Sequence, residues 1–199
     1  MAENTMQWET PLARQLADHP AAADSGVQVA EWPQSGIIIL RGKADDSAFV
    51  NNAHGALGAA LPLAPRGSVQ VGNVRIFRLS PDEWLLVCPY AEKQALLDKL
   101  EQSLAGVFAQ VVDNSGGYTA LVLYGQARLR VLRHLTPFDV DSLQVGHVAG
   151  TVMSKSHVIL VRPDVDRHEV IVRRSFADYV WKLVVKAARP YGLAVRSVP

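Results

Sequence analysis

The residue types able to make or break bonds are few in this chain and lie far apart. Its six histidines are His19, His54, His134, His147, His157 and His168. No pair has the i, i+4 spacing that puts two imidazoles on one helix face for zinc, and none adjoins a cysteine. They read as surface or half-buried side chains rather than ligands. Cys88 is the single cysteine and ends an apolar stretch before Pro89. No basic residue or helix start adjoins it in sequence to favour the thiolate, so it reads as a buried, inert thiol. Asn114-Ser115-Gly116-Gly117 is the one glycine pair in a polar loop. A phosphate cradle needs such glycines to open a helix, but here a strand follows, so a tight turn is the better reading. Carboxylates gather at Asp82-Glu83, at Asp139 and Asp141, and at Asp164 and Asp166, all in turns or beside prolines. They read as turn-forming, solvated acids, since an acid–base pair needs two carboxyls held in unlike environments. Asp113 follows Val111-Val112 and precedes Asn114-Ser115; it caps a backbone turn or, as the sharper alternative, binds a ligand amine.

Arginines and tryptophans carry the remaining signal. Arg128, Arg130 and Arg133 stud one face of a predicted helix, and Arg173-Arg174 precede the last one. Such a face is solvated, or it pairs with an acidic partner protein, since arginine is enriched at interfaces. Trp84 and Trp181 lie on strongly apolar elements, where packing is the default role for so large a side chain and stacking on a flavin or pterin the minority one. Trp8 and Trp32, with the Arg128, Arg130 and Arg133 face, are the candidate partner-interface residues. No catalytic, cofactor-binding or metal-ligating set emerges.

Composition bounds the reading further. The chain has 199 residues, 49% hydrophobic and 20% charged, with 20 Lys+Arg against 19 Asp+Glu. That is enough apolar matter for a core and rules out wholesale disorder. The balanced charge, with no basic run longer than two residues, argues against a phosphate-backbone binder. No apolar stretch approaches the roughly 20 residues that span a bilayer, and Met1 to Gln15 contain no apolar signal region. One unpaired cysteine suits a reducing, cytoplasmic setting. The mean hydropathy of +0.08 hints at a buried partner surface.

The elements that must position these residues follow from periodicity. Residues 1–35 read as an extended arm with a short helix over Leu12 to Leu16. Ile37 to Leu40 is a buried strand between Gly36 and Gly42. Ser47 to Leu61 has helical spacing, with Asp46 or Ser47 capping its start and Pro62 ending it. Val69 to Leu79 and Glu83 to Val87 read as two strands about Ser80-Pro81-Asp82, followed by a helix over Ala91 to Ala105. Val107 to Val112 is a linking strand. The order then recurs: strand Tyr118 to Tyr124, helix Gln126 to Leu135, strands His157 to Val161 and Glu169 to Val172, and helix Ser175 to Ala188, whose Ser175-Phe176-Ala177-Asp178 start has the form of a capping box. The offset between copies is about 84 residues, too long for a solenoid repeat. The expected fold is α+β, one compact domain of two pseudo-repeated strand-helix-strand-strand-helix halves over 36–106 and 107–199. Each half lays its helices on one face of a largely antiparallel sheet.

Several strings resemble a known family. They are Pro81-Asp82-Glu83-Trp84-Leu85-Leu86, Val112-Asp113-Asn114-Ser115 leading to Thr119, Thr10-Pro11-Leu12-Ala13 and, most specific, Arg173-Arg174-Ser175-Phe176-Ala177-Asp178-Tyr179-Val180-Trp181. Together they resemble the gamma subunit of heterotetrameric sarcosine oxidase, whose fold is related to the glycine-cleavage aminomethyltransferase and to folate-binding proteins. The resemblance implies a subunit partnered by alpha, beta and delta chains. That complex demethylates sarcosine to glycine, yielding hydrogen peroxide and either formaldehyde or 5,10-methylenetetrahydrofolate. It implies FAD, FMN, NAD and tetrahydrofolate on the larger subunits, with none bound by this chain, and a structural, non-catalytic role beside the alpha subunit. The aminomethyltransferases' key aspartate falls against Ser154 to Leu160, a stretch with no carboxylate. The alternative reading is a stand-alone folate-binding or one-carbon-transfer protein.

Overall fold

The computed structural model describes residues 9–19 and 25–196. Two short pieces open it: helix α1 (Ala13–Ala17) and strand β1 (Val27–Glu31). The continuous β-branched run then forms β2 (Ser35–Gly42), buried on both faces as such runs must be. Helix α2 (Ser47–Leu57) starts where the Asp46 carboxylate accepts from the backbone N–H groups of Ala48 and Phe49. Strands β3 (Ser68–Val71), β4 (Val74–Ser80) and β5 (Glu83–Pro89) form a meander. Helix α3 (Lys93–Ser103) and strand β6 (Ala109–Asp113) complete the first half. The second runs β7 (Tyr118–Tyr124), α4 (Arg128–Leu135), β8 (His147–Met153), β9 (Ser156–Arg162), β10 (His168–Arg173), α5 (Ala177–Ala188) and β11 (Leu193–Val195).

The fold is α+β with two sheets. The first sheet is ordered β3-β4-β5-β2-β6 and the second β11-β1-β7-β10-β9-β8. Every pairing is antiparallel except β1 with β11. Alternation along each strand sends one set of side chains inward between the sheets and the other outward under helices. Ile37, Phe77 and Leu85 of the first sheet meet Val122, Val161 and Ile171 of the second in a shared layer. Ile38, Leu40, Trp84 and Leu86 pack under α2 and α3, and Leu121, Leu160 and Val170 under α4 and α5. The layers therefore run helix, sheet, sheet, helix.

Several local expectations are corrected. The segment read as an arm supplies β1, an interior strand of the second sheet, with Val27, Val29 and Ala30 buried. Its partners β7 and β11 are remote in sequence, which local periodicity cannot register. Helix α2 stops at Gly58, whose φ of +75 gives the left-handed cap, well short of Pro62. The stretch Val69 to Leu79 is a hairpin turning at Gly72-Asn73, with Gly72 at φ +53. Strand β8 has no counterpart in the expected order, because Gly150 breaks its alternation. The predicted capping box does not form: residues Arg174–Phe176 make a single 3-10 turn, and Asp178 bonds Gln15 and Lys182.

Candidate functional site

The strings singled out in the sequence meet as structure. Trp84 is fully buried, donates its indole N–H to the Pro62 carbonyl at 3.0 Å, and packs on Phe49 with ring centroids 5.6 Å apart. Asp113 closes a turn: its carboxylate accepts from the Ser115 N–H and hydroxyl and pairs with Lys93 at 2.6 Å. Burial would raise its carboxyl, but those hydrogen bonds outweigh burial and hold it below the ordinary range. Ser115 in turn accepts from Ile37 N, and Gly117 N donates to Asn114 O, so the glycine loop is the tight turn expected. A strand follows this loop, so its N–H groups do not open a helix toward a phosphate.

The Thr10-Pro11-Leu12-Ala13 and Arg-Arg-Ser strings clasp each other. Leu12 fills the second core, its N–H donates to Glu31 Oε2 at 3.2 Å, and the Arg174 guanidinium donates to the Glu9 carbonyl at 2.9 Å. Glu31 is buried, and its pKa is raised by that burial although Thr10, Thr119 and Leu12 all donate to it. Trp181 is also buried and meets His19 edge-on at 5.0 Å.

The other candidates resolve without converging. Cys88 is buried, and burial, then the charge of Glu92, pushes its thiol up. The acids at positions 82, 139, 141 and 164 pair with arginines or accept turn N–H groups, as expected. Among the described residues no three His, Cys, Asp or Glu side chains stand together to hold a metal. His168 is fully buried beside Arg128; burial and then the charges of Arg128 and Arg162 hold its pKa down at about 4.

Of the interface candidates, Trp8 lies outside the described residues. Trp32 is 5% exposed between the sheets, with the Arg75 guanidinium 4.6 Å above its ring. Arg128 donates to the carbonyls of Gly125 and Val165. Arg133 pairs with Asp141 at 2.6 Å, and Arg130 lies 5.9 Å over the Tyr191 ring. Arg130 and Arg133 are exposed on α4, on the opposite side of the second sheet from Trp32.

Sequence reasoning missed a groove of about 690 Å³ on the inward face of the second sheet. Register builds it: Val152 opposes His157, Gly150 opposes Ile159, Ile159 opposes Ile171, and Arg173 opposes Tyr118. Cross-strand neighbours share a face, so Tyr118, Val152, Ile159 and Ile171 make an apolar floor. Lys155, His157, Arg173 and Phe176 stand around it. Lys155 to Ile159, the middle of the stretch Ser154 to Leu160, line this groove, and no carboxylate does.

Residues 41–189 match the family described as "Sarcosine oxidase, gamma subunit family". The chain is 30% identical over 209 residues to sarcosine oxidase subunit gamma of Corynebacterium sp. (strain U-96), covering 98% of both. A chain of the heterotetrameric sarcosine oxidase from Corynebacterium sp. U-96, solved in complex with pyrrole 2-carboxylate, superposes with a TM-score of 0.84. The two are 26% identical, and the match covers 92% of this chain and 96% of that one. Glycine cleavage system aminomethyltransferase T from Bartonella henselae has the same fold, with a TM-score of 0.67 at 16% identity over 96% of this chain and 60% of that one.

Proposed function

We propose that this chain, which belongs to the sarcosine oxidase gamma subunit family, is the gamma subunit of a heterotetrameric sarcosine oxidase. In this reading it is a structural partner of the alpha subunit, with beta and delta chains in the same assembly. The observation that carries the reading is similarity along the whole chain, in sequence and in fold, to a subunit of that enzyme. The strings behind the resemblance are used in packing and turn closure, which suits a scaffold: Trp84, Leu12 and Trp181 fill cores, and Asp113 and Arg174 tie loops down. Oxidative demethylation of sarcosine, with FAD, FMN, NAD and tetrahydrofolate, falls to the larger subunits in this proposal.

The two halves follow one order, strand, helix, three-strand meander, helix, strand, which supports descent from a duplicated unit. The contact surface includes the exposed Arg130 and Arg133 of α4, with Arg128, Trp8 and Trp32 as the remaining candidates. A cytoplasmic location belongs to the same proposal and rests on Cys88 having no second cysteine to pair with.

Co-expression with the alpha-type flavoprotein subunit, followed by affinity capture and gel filtration, tests the reading. A stable stoichiometric complex is expected. A chain that elutes alone beside its alpha, beta and delta companions refutes it.

A further inference from the structure

We infer that the groove on the second sheet seats an extended, carboxylate-bearing apolar segment of the companion subunit. This deepens the gamma-subunit reading and rests on it. The first sheet covers only part of the inward face: Ala120, Val122 and Ile171 are buried beneath it, while Tyr118, Val152 and Ile159 on the same face stay partly open. Phe176 stands at the rim, 43% exposed, edge-on to Tyr179. An apolar floor with an exposed aromatic is the form of an interface centre.

Charge selects the occupant. Lys155, His157 and Arg173 border the floor, no acid lines it, and none of the three has a carboxylate partner among the described residues. An incoming segment with Asp or Glu beside an apolar anchor complements both features.

The sheet edge favours a polypeptide over a small anion. Strand β8 is the last of its sheet. Alternate residues of an edge strand turn their backbone groups outward. Val148 N donates to Arg66 O and Ser154 N to Leu135 O, so between them Gly150 and Val152 face no strand. That leaves main-chain groups for an added extended segment beside pockets for its side chains. Gly150 supplies the close approach: a Cβ built there meets nothing within 4 Å, and a glycine inside a strand marks such an approach.

Two variants test this in the co-expressed complex. Gly150→Trp puts a bulky side chain into the groove from a position where a Cβ meets nothing within 4 Å, and the Lys155→Glu/Arg173→Glu pair reverses its rim. Lys99→Glu on exposed α3 is the control for charge alone. Affinity for the alpha-type subunit is measured across a salt series, with thermal melts of each isolated chain confirming folding. Both groove variants are expected to weaken Kd by about tenfold or more, and the rim pair to flatten the salt dependence, while Lys99→Glu matches the parent. If the parent forms no complex, the gamma-subunit reading itself fails. If the parent binds and the folded groove variants bind equally well, the groove proposal alone is overturned. Binding of tetrahydrofolate to the isolated chain, abolished by Gly150→Trp, also overturns it in favour of a small-molecule site.

Discussion

The Arg75–Glu169 ion pair joins the two sheets, and its removal gives the sharpest test of how they are held together. Arg75 Nη1 meets Glu169 Oε2 at 2.7 Å, with the glutamate side chain 3% exposed and the arginine 23%. Arg75 also lies over the rings of Trp32 at 4.6 Å and Phe77 at 5.5 Å. Breaking a buried pair from one side costs about 3–5 kcal/mol, because the remaining charge stays dry. Glu169→Gln leaves an arginine that still reaches water, so the expected cost sits at the lower end, about 3 kcal/mol. Arg75→Met leaves the drier carboxylate and removes the ring contacts, so it costs more, about 4–5 kcal/mol. The double variant recovers part of this, with a coupling of about 2 kcal/mol. Urea denaturation reads these differences directly; for a chain of this size 3 kcal/mol corresponds to a melting shift of about 6–12 °C. Single variants within about 0.5 kcal/mol of the parent, or a strictly additive double, would falsify the claim that this pair couples the sheets.

Three further outcomes are expected. With His168 at about 4 in the folded chain and about 6.5 unfolded, the unfolded state binds more protons between those values. Its contribution is therefore complete above about pH 6.5 and lost progressively toward pH 4, about 3 kcal/mol in all. Glu31, raised by burial, works in the opposite sense, so the test is the difference between parent and His168→Gln, which should be flatter over that window; identical pH–stability curves would contradict the assignment. Leu12→Ala empties a fully buried site and should cost about 2–5 kcal/mol in chemical denaturation; a loss under 1 kcal/mol would mean the N-terminal clasp is not part of the cooperative core. Asp46→Ala removes the carboxylate that caps α2 and should cost about 1 kcal/mol, read from the same denaturation curves, with no change meaning that solvent caps the helix equally well.

The interior strands were legible because Ile37 to Leu40, Ala120 to Tyr124 and Val170 to Val172 are continuous apolar runs, a signal that survives without partners. Strand β1 was not, since Val27-Gln28-Val29-Ala30 is short and becomes a strand only between β7 and β11. The capping box failed for a related reason: Asp178 finds Gln15, 163 positions away, and Lys182 one turn on, leaving the helix start to a 3-10 turn. The turn roles of Asp113 and the glycine loop were readable because they are local. The groove was not, because Tyr118, Val152, Ile159 and Arg173 come from four strands and share a face only through register. Gly150, which interrupts an otherwise apolar strand, was its one local mark.

The parallel pairing of β1 with β11 joins Val27 to Leu193. A ribosome makes the first of these segments long before the second. The earlier one emerges with valines that need cover and waits until every intervening strand has been made for its outer neighbour. The five-stranded sheet, whose strands all lie within residues 35–113, can close while the rest is still being made. The six-stranded one is sealed only when Leu193–Val195 leave the tunnel, so a transcript truncated shortly before Leu193 would yield a chain with one finished layer and one open edge.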